Sequence, residues 1–111
     1  MIENIKKDNI RPCSVDTRIN KVFKIESKGI VDIDKNMPKV RAAKLPYVLK
    51  SGEYVLASTI EKIKEDRPQY GCIAVAKSKA YRIGLSIQSG HIHPFYHGQM
   101  VFGIKNIENS D

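Results

Sequence analysis

Apolar residues along much of this chain fall on every second position. In SVDTRINKVFKI, residues 14–25, Val15, Thr17 and Ile19 alternate with Asp16, Arg18 and Asn20. A period of two turns one set of side chains inward and the other to solvent, which predicts a half-buried strand. IVDID, residues 30–34, repeats the alternation ahead of a loop carrying Pro38. YVLKSGEYVLAST, residues 47–59, reads as two short strands joined at Ser51-Gly52, a dipeptide that favours turns. GCIAVA, residues 71–76, is a short apolar run and predicts a fully buried strand. IGLSIQSGHIHPFY, residues 83–96, reads as strand, Ser-Gly turn and strand, a hairpin. QMVFGIKNI, residues 99–107, predicts a last strand with no following partner of its own, an edge of the kind proteins usually cover. Two segments look helical instead. The first ten residues carry Ile2, Ile5 and Ile10 as apolar markers, and IEKIKED, residues 60–66, predicts one turn stopped by Pro68.

Many short strands separated by turn signals predict an all-β barrel or sandwich. With no repeat, low-complexity tract or long linker, residues 1–111 are expected to form a single domain. The hydrophobic content of 41% supports a modest core without any Trp, and a chain this short leaves apolar surface uncovered, which favours self-association. Cys13 and Cys72 lack CxxC spacing and read as buried, reduced thiols of a cytoplasmic protein. The amino terminus MIENIKKDNI has no apolar stretch of the signal-peptide kind, and no apolar run approaches the ~20 residues of a membrane span.

The net charge of +7 raises a basic nucleic-acid-binding module as one alternative. The lysines are spread along the chain, however, without a block of like charge and without interleaved aromatics for base stacking. A solvated lysine-rich surface is the plainer reading, and a small polyanion such as a nucleotide suits the same charge. All three histidines lie in HIHPFYHG, residues 91–98. On a strand His91 and His93 share a face, a spacing that suits two zinc ligands, with His97 as a third candidate. Cys72 is the one Cys, Asp or Glu between residues 67 and 107, so ordinary surface or interface histidines are the plainer reading.

Four segments in collinear order resemble the dCTP deaminase and trimeric dUTPase superfamily. RPCSVDTRINKVFKI is similar to its opening Pro-x-Ser-x-Asp-x-Arg strand, and LPYVLKSGEYVLASTIEKIK to its central Ser-Gly-Glu turn and Leu-Ala-Ser-Thr strand. AKSKAYRIGL resembles a degenerate Gly-Arg-Ser-Ser-x-x-Arg-x-Gly-Leu phosphate motif. SGHIHPFYHGQMVFGIKN resembles the Ile-Asp-Pro-x-aromatic-x-Gly hairpin and the strand after it. The resemblance implies a distorted β-barrel assembled as a homotrimer, with nucleotide sites between subunits and Mg²⁺ on the triphosphate. It makes Asp16, Lys77, Ser78, Arg82 and Gln88 the candidates for nucleotide or phosphate binding.

The same carry-over removes the chemistry. His93 stands where the hairpin's water-activating Asp belongs, and Gly103 where the deaminase Glu belongs. Lys77 replaces an Arg and, as a point charge, cannot reproduce its bidentate fork. The hairpin is a residue or two shorter than expected, and Asp111 falls about where relatives continue into further strands and a phosphate-covering arm. The resemblance therefore implies a catalytically inactive member that binds a nucleotide or a protein partner, a compact form that fits a virus or mobile element. The alternative is an active dUTP pyrophosphatase or dCTP deaminase in which His93 serves as base with Mg²⁺ on the nucleotide. Otherwise no residue is assigned a catalytic role, no cofactor is expected, and His91, His93 and His97 remain the weak metal candidates.

Overall fold

The structure, a computed structural model, describes residues 2–26, 38–66 and 68–111. Its elements are β1 (Ile2–Glu3), a 3-10 turn (Lys7–Asn9), β2 (Ile19–Glu26), β3 (Lys39–Ala43), β4 (Tyr54–Lys64), β5 (Cys72–Ile73), α1 (Ser78–Arg82), β6 (Leu85–Gln88), β7 (His91–Ile92) and β8 (His97–Asn106). One six-stranded sheet runs β3-β2-β4-β8-β6, with β1 added on β4, and β5 and β7 make a separate two-stranded ladder. The all-β class is as the pattern predicts. The sheet stays open, with β3 and β6 at its two ends.

The core lies on one face of this sheet. Val22, Val55, Ala57 and Ile104 are buried there, with Tyr47, Leu49, Leu85 and Phe102 packed against them. Each fully buried Val or Ile contributes about 1.5–3 kcal/mol. The cluster is not sealed: an apolar groove of 560 Å³, bordered by Val22, Leu45, Tyr47, Val55 and Ile104, opens over it. Ser51-Gly52 does form the expected turn, and Gly52 there has a φ of +79°, a conformation glycine adopts without penalty.

Several local expectations are corrected. The first ten residues are not a helix: Ile2 and Glu3 pair with Ile63 and Lys62 of β4, followed by the 3-10 turn. The strand expected from Val15 begins at Ile19, because Val15 instead bridges back to Ile10 and leaves Asp16 in a loop. Residues 47–50 form no strand. IVDID lies outside the described residues. GCIAVA contributes two strand residues, and Ile73 and Val75 are exposed instead of buried. The segments flanking Ser89-Gly90 do not pair with each other, since β6 joins β8 and β7 joins β5. The last strand is no edge. β8 sits between β4 and β6, so it is paired on both sides and offers no free edge. Cys13 is exposed and Cys72 half-buried.

The most instructive correction is IEKIKED. It continues β4 in extended form, with Glu61, Ile63 and Glu65 buried and Lys62 and Lys64 exposed. The period of two is present, but two of its three inward residues are carboxylates, so a hydrophobic pattern cannot reveal it. Glu61 is fully buried and accepts hydrogen bonds from the Arg18 backbone N–H at 2.7 Å and from Arg18 Nε at 2.9 Å. Burial pushes its carboxyl up, but the Arg18 bonds outweigh this and hold it below the ordinary glutamate value. At the same place the β4–β8 register shifts between Ser58 and Lys62, and Thr59 fills the irregularity, accepting from the Met100 N–H at 3.1 Å.

Candidate functional site

The phosphate-motif residues run along α1: Lys77 precedes it, Ser78 opens it and Arg82 ends it. Lys77 Nζ lies 3.1 Å from Asp16 Oδ2, and Arg11 Nε lies 3.1 Å from that same oxygen. The Lys77 hydrogen bond, and then that of Arg11, holds the Asp16 carboxyl below the ordinary aspartate range. Two sequence-predicted binding residues, Asp16 and Lys77, are thus brought together from 61 residues apart, but each is spent on the other. Ser78, Lys79 and Arg82 are exposed, and among the described residues neither Lys79 nor Arg82 has an ion pair. Gln88 lies opposite Gly103 in the β6–β8 register and donates to Ser86 Oγ at 3.0 Å.

The histidine segment forms one wall of a second cavity, of 340 Å³, with His91, His93, Tyr96, Met100 and Phe102 among its lining residues. Ser89 and Tyr96 have their hydroxyls committed to the Ala74 and Gln99 carbonyls at 2.6 and 2.5 Å. Between His93 and Tyr96 the chain turns back, with the Tyr96 N–H donating to the His93 carbonyl. Pro94 and Phe95 occupy the centre of that turn, and Phe95 has a φ of +68°. Gly or Asn is the usual occupant of such a position, so the phenylalanine is strained there. His97 does not join the other histidines. It pairs with Asp66 at 2.7 Å on the surface. Among the described residues no three His, Cys, Asp or Glu side chains cluster so as to hold a metal ion. Nor does the donor set suit Mg²⁺, which prefers carboxylate oxygens: the cavity offers imidazoles and committed hydroxyls, and Asp16 already binds two cations.

Gly103, on β8, is buried and lies under Tyr54 of β4. A Cβ placed on it would run into the Tyr54 hydroxyl oxygen and the ring carbon that bears it. Registers explain the approach: Leu56 is the direct partner of Gly103 and Tyr54 that of Lys105, so Tyr54 reaches Gly103 diagonally on the same face. The aromatic ring therefore fills the volume in which any longer side chain at position 103 would begin.

Sequence reasoning missed three of the residues that matter. Arg11 bears no motif signal. Tyr54 reads as an ordinary strand aromatic, and only its diagonal relation to a mid-strand glycine could have pointed to it. Glu61 was hidden by its charge, although the arginine of the opening segment, Arg18, called for a partner.

A model of the dCTP deaminase-like family matches residues 1–111. The chain is similar to the dUMP-forming dCTP deaminase of Corynebacterium diphtheriae, 30% identical over 118 residues that cover 97% of this chain and 63% of that protein. The corresponding protein of Methanothermobacter thermautotrophicus is 30% identical over 109 residues, 88% of this chain and 55% of its own. The chain thus spans less than two thirds of the length of these relatives. In fold it resembles the crystal structure of 2'-deoxycytidine 5'-triphosphate deaminase from Agrobacterium tumefaciens, with a TM-score of 0.68 at 19% identity, covering 93% of this chain and 35% of that one. The family match over residues 1–111 and the likeness in fold agree, and the chain belongs to the dCTP deaminase-like family.

Proposed function

We propose that this chain is a non-catalytic member of its family that works by binding, with a nucleotide polyphosphate as the favoured ligand. The observation that carries the reading is the Tyr54 ring over Gly103. Where the family resemblance calls for a proton-handling glutamate, this chain has no side chain, and the Tyr54 ring, 39% exposed, rests over that position. His93 stands in place of the hairpin aspartate, and in the unliganded chain Asp16 is held between Arg11 and Lys77. What remains is cationic. Lys79 and Arg82 are exposed at α1 and can attract an anion.

Residues 1–111 act in this reading as one domain, and the chain self-associates, with a trimer as the expected form. The support is the unsealed core groove together with exposed apolar residues such as Val40, Val48 and Val101. Light scattering that gives a monomer throughout the micromolar range would remove this part.

Binding is tested by thermal unfolding with millimolar dCTP, dUTP and dTTP. A ligand that binds the folded state alone raises the midpoint by mass action. The midpoint should rise, and Arg82→Ala should abolish the rise while leaving the unliganded midpoint in place. An unmoved curve with all three nucleotides would transfer the function to a protein partner.

A further inference from the structure

We infer that Arg11 and Lys77 form a two-cation oxyanion clamp that the chain's own Asp16 carboxylate fills, so that a phosphate ligand binds there by displacing Asp16. The inference rests on the polyphosphate reading above and deepens it by adding Arg11 and a built-in competitor. Its basis is geometric. A guanidinium and an ammonium from segments far apart in sequence converge on one carboxylate oxygen, each at 3.1 Å. Such convergence of two donors on one oxygen is what a phosphate oxygen also requires.

Burial decides whether the internal anion can leave. The Asp16 side chain keeps 19% of its exposure, while those of Arg11 and Lys77 keep 55% and 62%. Ion pairs between groups this exposed are weak and screened by salt. An incoming polyphosphate of higher charge can therefore take both cations, with Lys79 and Arg82 close behind on α1. Releasing Asp16 also breaks the tie between its loop and Lys77. The loop itself stays held by the Asp16 backbone N–H, which donates to the Asn9 carbonyl, and by the Ile10–Val15 bridge beside it. Ligand binding and release of Asp16 from Lys77 are then linked, and each favours the other to the same extent.

The test is calorimetric titration with sodium tripolyphosphate in EDTA at fixed ionic strength, which excludes any metal-bridged role for Asp16. Compared with wild type, Asp16→Asn should bind about five- to tenfold more tightly, and adding Lys77→Ala or Arg11→Ala to Asp16→Asn should cancel the gain. Asp16→Ser serves as a second release variant, with the same expectation, should the asparagine disturb the loop. In the wild type, the Arg11 Nε–H resonance should shift as tripolyphosphate saturates the protein. Equal or weaker binding by both release variants, with wild type still binding, overturns the clamp and leaves the polyphosphate reading intact. No binding by any variant overturns both.

Discussion

The central ladder of β2, β4 and β8 and the peripheral stretch from β5 to β7 differ in how they treat their residues. In the ladder, Val22, Val55, Ala57, Ile63 and Ile104 are buried and even the carboxylate of Glu61 is enclosed and paired. In the periphery, Ile73, Val75, Tyr81 and Ile83 are all exposed, and the ladder of β5 and β7 has only two residues on each strand. Yet it is the periphery that holds the phosphate-motif and hairpin residues. Packing fixes the ladder whatever the chain does chemically, whereas the peripheral residues are held by a few hydrogen bonds and ion pairs. A family's fold can persist on the first while the second diverges, although the altered position Gly103 lies in the ladder itself, on β8.

Substitution should expose that contrast, beginning with the core. Ile63→Ala is expected to cost about 2–5 kcal/mol, while Val75→Ala, on a side chain that is 79% exposed, should stay within about 0.5 kcal/mol of wild type. Chemical denaturation of both variants measures the difference, and similar costs would mean that the periphery is packed after all.

Removing the guanidinium in Arg18→Ala takes the counter-ion from the buried Glu61 carboxylate and leaves it the backbone N–H bond at position 18. The loss should fall near the lower end of about 3–5 kcal/mol, because Arg18 itself keeps some contact with solvent. A pH series sharpens the assignment. The folded-state carboxyl of Glu61 titrates below its ordinary value of 4.5, so its contribution is complete above that pH. It should be lost as the pH falls below 4.5 toward the depressed folded value, and the Arg18→Ala profile should be flatter over that window.

Next in size is the Tyr54–Gly103 contact. Gly103→Ala should cost about 1–3 kcal/mol through overpacking against the tyrosine, and Tyr54→Ala should relieve most of that cost in the double variant. Additive effects in the cycle would show that the ring does not occupy the space above Gly103. The smallest effect has the opposite sign. Phe95→Gly removes a positive φ from a bulky residue that is 60% exposed, so the variant should be more stable than wild type by about 1 kcal/mol.

How much of this was legible in the sequence follows the same division. Val55, Ala57 and Ile104 announce their strands because their inward neighbours are apolar. β4 beyond Thr59 does not, because Glu61 and Glu65 face inward and a charged residue reads as exposed until its partner is known. GCIAVA failed in reverse: its apolar residues predict burial, but nothing packs over Ile73 and Val75 among the described residues. The short α1 had no periodicity to read, five residues being too few for an apolar face. At the candidate site, motif matching singled out Asp16, Lys77, Arg82 and the histidine turn as candidates. It could not show that Asp16 and Lys77 neutralise one another, since they meet only when the loop before Arg18 folds against the start of α1. The vacancy at Gly103 was visible as a letter, and its occupation by Tyr54 was not.

The central claim is loss of catalysis with retention of the fold, and turnover tests it most directly. Purified protein is incubated with dCTP and with dUTP in Mg²⁺, and ammonia and pyrophosphate are measured for wild type, His93→Ala and His93→Asp. No product above the protein-free blank is expected from any of the three, because groups that act as a unit are not restored singly. Sustained release of either product by wild type that disappears in His93→Ala would contradict the account and make His93 the base of an active enzyme.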